Sequence, residues 1–185
     1  KMSGGYIDPK SFMRLLSEKV DDNAVLVADV GQNQIWSANC FKIRNGRFLT
    51  SGGMGTMGYS VPASVGAWLA SPDRQVIAVC GDGSFQMQMM ELATICQEQL
   101  NIKIIVMKND RLGMVRELQK NNYAGNYIAV FLDGSPDFVK LASAYGIPSA
   151  SISRPDEIDS AIETLLSSRG PFLLECVVSE DESSL

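Results

Sequence analysis

The stretch Gly81–Val115, GDGSFQMQMMELATICQEQLNIKIIVMKNDRLGMV, decides the architecture. An apolar run, Gln75 to Cys80 (QVIAVC), leads into Gly81-Asp82-Gly83-Ser84, and a second, Ile102 to Met107, leads into Asn109 and Asp110. Both are short, apolar and bounded by turn residues, so both read as strands. Phe85 to Gln97 between them reads as a helix. Strands joined by one crossover helix are parallel and close in the same sheet. Asp82 and Asn109 then stand just past two carboxyl ends, where ligands of open α/β sheets bind. A carboxylate, an amide oxygen and glycines that let a ligand near the backbone suit Mg²⁺, which takes one or two carboxylates together with phosphate oxygens. Ser84 opens the helix, and the free N–H groups of a helix start favour a phosphate. The plainer alternative makes GDG only a tight turn and Asn109 only a loop residue.

Outward from this unit the chain alternates. Asp8, with Pro9 in the first turn, caps a helix whose Phe12, Leu15, Leu16 and Val20 form an apolar stripe. Ala24–Val30 (AVLVADV) is apolar nearly throughout, as strands covered on both faces are, and it ends at Gly31-Gln32-Asn33-Gln34. Ile35–Cys40 is helix-like, Lys42–Arg47 is a basic loop, and Phe48–Thr50 is a short strand. After the central unit, Asn121–Gly134 is a long loop that could cover the site. Ser135-Pro136-Asp137 starts a helix carrying Phe138, Leu141, Ala142 and Tyr145, closed by Gly146. Ala150–Ile152 is a strand, Pro155–Ser168 an amphipathic helix and Phe172–Val178 the last strand; the acidic Ser179–Leu185 is expected to fray. This alternation predicts one three-layer α/β/α domain over residues 1–185, with a doubly wound, mainly parallel sheet of about six strands.

Composition narrows the function. A net charge of −5, a pI near 4.8 and the lack of a basic run argue against nucleic-acid binding. No apolar run approaches the ~20 residues of a membrane span, and the opening KMSGGYIDPK has no apolar signal core. Cys40, Cys80, Cys96 and Cys176 are scattered without metal spacing, which reads as a reducing, cytoplasmic compartment. The chain has no histidine, so it can build no Ser–His or Cys–His nucleophile pair.

Ser51–Ala67, SGGMGTMGYSVPASVGA, holds Gly53-x-Gly55-x-x-Gly58, formally a dinucleotide-binding pattern with Asp82 downstream as its acid. Against that reading, the preceding strand is short and is not the first of the domain, and Pro62 stands near the start of the following helix. Asp82 is also matched by Asn109, which a ribose-binding Asp would not require.

With 26 residues between Asp82 and Asn109, the GDG…N pattern resembles the motif of thiamine diphosphate-dependent enzymes. The resemblance implies that the side chains of Asp82 and Asn109 and the carbonyl of Arg111 hold Mg²⁺, which holds the cofactor's diphosphate. Gly83 and Ser84 then lie against the cofactor. Lys108 stands where many relatives have a first Asn. SGGMGTMGYSVPASVGA looks like the segment of acetolactate synthases that meets the aminopyrimidine. By that likeness the backbone of Gly55 and Met57 faces its amino group, and the Met57 side chain is the wedge that bends the cofactor. A lone Met is ordinarily core filler, and the flanking motif raises it above that. Gly31-Gln32-Asn33-Gln34 resembles the GQHQ that contacts the diphosphate, with Asn33 in place of His; an Asn can still donate to an oxygen. Arg111-Leu112-Gly113-Met114-Val115 resembles the synthase RLGMV, which adds Met114 to the cofactor residues. Leu118 falls where a Trp usually shapes the pocket for the second keto acid.

The likeness runs from about Asp8 to Val178 and implies more than this chain contains. Members protonate the pyrimidine ring through a Glu of a pyrimidine-binding domain, normally of a neighbouring subunit, and no motif here supplies it. No catalytic residue is therefore assigned within residues 1–185. The chain opens on Lys1 and reads as a diphosphate-binding domain cut from a larger chain that forms a homodimer or homotetramer, with a central domain that in some relatives carries FAD; the alternative is a stand-alone small subunit. The expected function is decarboxylation of pyruvate and its joining to a second 2-keto acid, as in branched-chain amino acid biosynthesis. Another thiamine diphosphate-dependent decarboxylase, oxidase or carboligase shares these motifs. A nicotinamide oxidoreductase domain and a non-catalytic binding module remain as readings from other classes.

Overall fold

The computed structural model describes residues 5–185, so the opening Lys1 lies outside it. In chain order the elements are helix α1 (Pro9–Lys19), strand β1 (Val25–Ala28), α2 (Gln32–Cys40), β2 (Arg47–Thr50), α3 (Ser60–Ala70), β3 (Val76–Gly81), α4 (Asp82–Gln86), α5 (Leu92–Gln97), β4 (Ile102–Lys108), α6 (Gly113–Asn122), α7 (Phe138–Ala144), β5 (Ser149–Ile152), α8 (Ile158–Ser167) and β6 (Phe172–Val177). The six strands form one sheet in the order β2-β1-β3-β4-β6-β5, and every pair is parallel. The expected doubly wound α/β domain is what forms.

The period-two alternation of strand side chains divides the core. Ile77 and Val79 of β3 join Leu26, Ile105 and Leu174 on one face, under Phe12 and Leu16 of α1 and Ile162 and Leu165 of α8. Val76, Ala78 and Cys80 of the same strand turn to the other face, under Val61 of α3, Ile95 of α5 and Phe138 of α7. Burial on both faces explains why these strands read as continuous apolar runs. α1 begins as expected, with the Asp8 side chain accepting from the Lys10 and Ser11 N–H groups. Among the described residues no helix is long and apolar enough to cross a membrane.

Four local expectations are corrected. The helix placed at Phe85–Gln97 starts at Asp82 and breaks after Gln86, passes through a 3₁₀ turn at Met89–Glu91, and resumes as α5. Ser84 therefore lies inside α4, where its hydroxyl bonds back to the Gly81 backbone. The break falls at Gln88 (φ −143°, ψ 12°), whose side chain is buried in hydrogen bonds described below. α6, within RLGMV and beyond, has no counterpart in the apolar pattern, because its Val115 and Leu118 face solvent rather than the core.

The fourth correction concerns Ser179–Leu185, which does not fray. Trp36 Nε1 donates to Ser183 O at 2.8 Å, Arg116 Nη1 to Glu180 O at 2.8 Å, and Gln32 Nε2 to Glu182 O at 2.7 Å. Glu117 accepts from the Ser184 N–H and hydroxyl. These side chains of α2 and α6 occupy backbone groups that water would otherwise solvate, and that holds the segment.

Candidate cofactor and metal site

β1 leads to β2 on one side of the sheet, while β3 returns to its other side, so the chain reverses direction between β1 and β3. Ligands of doubly wound sheets bind at such a reversal, outside the carboxyl ends. A cleft opens there, about 550 Å³ counted to its mouth, lined by the ends of β1, β3 and β4 and the start of α6.

Asp82 is its deepest charged group, 1% exposed. Its Oδ1 accepts from Gly83 N at 2.8 Å, and its Oδ2 from Asn109 N at 3.0 Å and Asp110 N at 2.6 Å. The two ends of the GDG…N spacing therefore meet. Asn109 Oδ1 in turn accepts from Arg111 N at 3.0 Å, closing a tight turn through Asp110, which adopts the left-handed φ of 55°. A non-glycine residue takes that conformation only where its surroundings hold it. Here Asp82 grips its N–H, and Lys108 pairs with its carboxylate at 2.9 Å.

Burial pushes the Asp82 carboxyl up to about 6, against the three N–H groups, which pull it down. Lys108, the cation beside the turn in sequence, is committed to Asp110 instead. Among the described residues no three His, Cys, Asp or Glu side chains gather as a metal cage. A cation held here would draw on one carboxylate, the Asn109 amide oxygen, backbone carbonyls and oxygens brought by a ligand. That hard-oxygen set fits Mg²⁺ bound together with a diphosphate.

Gly83 shows how close the walls stand. A Cβ added there would lie 2.7 Å from Leu112 Cδ2, 3.2 Å from Leu132 Cδ1 and 3.5 Å from Met57 Cε. The methionine expected to act as a wedge therefore reaches across to the GDG turn. Leu132 comes from the 121–134 loop, whose Leu132 N–H donates to Asp110 O, while Val130 O accepts from Leu112 N. That loop does edge the site.

A family model described as the thiamine pyrophosphate enzyme C-terminal TPP binding domain matches residues 29–176. The chain belongs to the thiamine pyrophosphate enzymes. It is similar to the large subunit of acetolactate synthase isozyme 2 of Escherichia coli K12, 42% identical over 97% of this chain and 33% of that protein. It is similar also to the acetolactate synthase large subunit of Pyropia yezoensis, 44% identical over 90% of this chain and 28% of that protein. Acetolactate synthase 1 of Nicotiana tabacum is 38% identical over the whole chain and 29% of its own length. The chain thus spans about a third of the relatives it matches.

In this thiamine pyrophosphate-binding domain, Asp82, Gly83, Ser84, Asn109 and Arg111 line the cleft together with Gly31, Gln32, Asn33, Met57 and Met114. Gly55 does not line it; it lies exposed in the loop after β2. That loop follows the edge strand β2, and α3 opens only at Ser60, beyond Gly58, so Gly53–Gly58 lacks the setting a dinucleotide fingerprint needs. Asn33 differs from expectation in its polarity. Its Nδ2 donates to Asp29 O at 2.9 Å and Val79 O at 3.3 Å, tying β1 to β3, so the cleft receives its oxygen instead. Gln32 Nε2 is shared between Glu117 and Glu182 O, and its Oε1 faces Asn109 Nδ2 at 3.5 Å.

Three side chains escaped sequence reasoning: Asp29, Gln88 and Glu117. Asp29 had a signal, since an acid inside the apolar run AVLVADV must find donors when buried. Gln88 and Glu117 had none, because their partners lie far away in sequence.

Proposed function

We propose that this chain is the diphosphate-binding domain of a larger acetolactate synthase-like carboligase, which decarboxylates pyruvate and joins it to a second 2-keto acid. The observation that carries the reading is Asp82 gripping the Asn109–Asp110 turn inside the cleft. In this reading Asp82, Asn109 and the Arg111 carbonyl hold Mg²⁺ and, through it, the diphosphate of thiamine diphosphate. The bound cofactor would supply the electron sink that pyruvate decarboxylation requires. The missing side chain at Gly83 lets Leu112, Leu132 and Met57 close on the turn, and Met57 presses on the cofactor. Leu112 and Met114 form the apolar side of the cleft, with Val115 at its rim. The Asp82 carboxylate, accepting from the N–H groups of Gly83, Asn109 and Asp110, holds the turn, and a turn held by the protein lowers the ordering cost of binding.

The same reading assigns the remaining parts elsewhere. The pyrimidine-binding domain of a neighbouring subunit supplies the Glu, the assembly is a homodimer or homotetramer, and a central domain carries FAD where one is required. The setting is cytoplasmic branched-chain amino acid biosynthesis. The similarity to acetolactate synthase large subunits favours a carboligase over the other thiamine diphosphate decarboxylases and oxidases. The test is calorimetric titration of thiamine diphosphate into the full-length protein with and without Mg²⁺, followed by product analysis with pyruvate alone. Binding that ignores Mg²⁺ sinks the metal assignment. Acetaldehyde or acetate in place of acetolactate sinks the carboligase.

A further inference from the structure

The start of α3 lacks a cap of its own. Tyr59 occupies the N-cap position and its side chain makes no cap bond. The first N–H groups of a helix need acceptors from outside the helix, and here they come from far along the chain. Asp29, fully buried just past β1, accepts from Gly58 N (3.0 Å) and Val30 N (2.9 Å) at Oδ1, and from Tyr59 N (3.0 Å) and Ser60 N (2.7 Å) at Oδ2. The next N–H, of Val61, donates to Gln88 Oε1 at 3.3 Å. Gln88 Nε2 donates to Asp29 Oδ2 at 2.8 Å, so the two side chains are one unit. Four successive backbone donors, 58 to 61, end on two side chains bonded to each other.

This unit joins the two walls of the cleft. Gly58 directly follows Met57, and Gln88 lies two residues beyond α4, whose first residue is Asp82. Met57 lines the cleft from the loop after β2 (the Met57 wall), and Asp82 lines it from the start of α4 (the Asp82 wall). Gln88 also breaks the helix that would otherwise continue through it, a local cost that its buried bonds offset. We infer that Asp29 and Gln88 are positioning residues that fix the Met57 wall against the Asp82 wall, and so set how a ligand spanning both is held, while leaving the metal–diphosphate end untouched. This rests on the reading of the cleft as a thiamine diphosphate site.

Asp29→Asn keeps the shape but turns an NH₂ toward the N–H groups of Tyr59 and Ser60 and the amide of Gln88. Gln88→Met keeps the volume, removes its three side-chain bonds, to Asp29, Ser60 Oγ and the Val61 N–H, and leaves Asp29 on the backbone, so it serves if Asp29→Asn does not fold. In the full-length protein, calorimetry with inorganic pyrophosphate plus Mg²⁺ probes the metal end alone, and thiamine diphosphate plus Mg²⁺ probes both walls. The expected result is pyrophosphate affinity within about twofold of wild type and thiamine diphosphate affinity about tenfold lower, the size of losing bonds to a charged acceptor. Amide exchange over residues 57–61 should also accelerate, while exchange at Gly83, Asn109 and Asp110 should not. Equal losses for both ligands, or no loss for either, overturn the inference. Wild-type protein that binds neither ligand overturns the thiamine diphosphate reading instead, so the two failures are distinct.

Discussion

Asp82 Oδ2 accepts the backbone N–H of Asn109 at 3.0 Å, although 26 residues and two helices separate the pair in the chain. The contact ties the end of β3 to the turn after β4, the turn that carries Asn109. Asp82→Ala removes the anionic ligand and also releases the N–H groups of Gly83, Asn109 and Asp110. It is expected to abolish Mg²⁺-dependent retention of thiamine diphosphate. Asn109→Ala removes a neutral ligand and should weaken retention by about tenfold or more. Titration calorimetry at fixed Mg²⁺ measures both, and unchanged affinity in the Asp82 variant refutes the assignment.

Leu118 is 52% exposed and lines a hollow with Val115, Tyr123 and Ile128, beside the cleft rather than in it; Val115 borders both. If the second 2-keto acid enters along this side, Leu118→Trp narrows its path. A methylene in an apolar pocket is worth only about 1–3 kcal/mol of discrimination, so the gain in preference for 2-ketobutyrate over pyruvate should be a few-fold. Competition between the two acceptors in one reaction measures it, and an unchanged product ratio places Leu118 outside the acceptor path.

Gly46 and Gly52 should respond unequally to alanine. A Cβ at Gly46 would lie 1.8 Å from the backbone oxygen of Ala24, which β1 holds in place, whereas at Gly52 it would meet nothing within 4 Å. Gly46→Ala is expected to cost about 1–3 kcal/mol or more, as overpacking against fixed atoms does. Gly52→Ala should stay within about 0.5 kcal/mol, as surface changes do. Urea unfolding midpoints of the two variants decide it.

Lys103 carries a sign that can be checked against pH. It lies inside β4 with its Nζ donating to Ser168 O, Ser168 Oγ and Gly170 O at 2.7–2.8 Å. Burial pushes its ammonium from the ordinary 10.5 down to about 8. Below pH 8 both folded and unfolded chains keep the proton, and stability does not respond to this group. Between about 8 and 10.5 the unfolded chain binds more protons than the folded one, so the Lys103 contribution to stability rises with pH. The stability of wild type relative to Lys103→Met should therefore shift in favour of wild type from pH 8 to pH 10. Tyr and Cys titrations cancel in that difference. A difference that stays flat with pH excludes the shift.

The isolated chain should be catalytically silent. Among the described residues no Glu lines the cleft, whose charged lining residues are Asp82 and Arg111. With pyruvate, Mg²⁺ and thiamine diphosphate added, the purified domain should consume no pyruvate until a pyrimidine-binding partner is supplied. Turnover near the enzyme median of about 10 s⁻¹ by the chain alone would locate the missing acid within it.

Much of this was legible in the sequence where residue type alone determines placement. β3 and β4 are buried on both faces, so their apolar runs announce strands, and the GDG turn and Asn109 fall at their ends. What failed to show was set by distant contacts. α6 turns Val115 and Leu118 outward, so its periodicity points at no core. The acidic tail looked soluble and loose, yet Trp36, Arg116 and Glu117 claim its backbone. The break at Gln88 follows from a carboxylate nearly sixty residues away, which no local pattern encodes. Asn33 reads as a donor from its position, and only the carbonyls of Asp29 and Val79 reveal that its NH₂ group is used elsewhere.

The strand order carries a consequence for how this chain is made. β6 lies between β4 and β5, and β5 pairs with no other strand. As the polypeptide emerges from the ribosome, one edge of β4 stays bare until β6 has been synthesised, on the order of several seconds later at roughly 5–20 residues per second. That edge belongs to IKIIVMK, a β-rich run of the kind that pairs with other chains when exposed. Its one interior charge, Lys103, stands in the nascent strand before Ser168 and Gly170 exist to receive it, and a charge on an open edge disfavours pairing with another such edge.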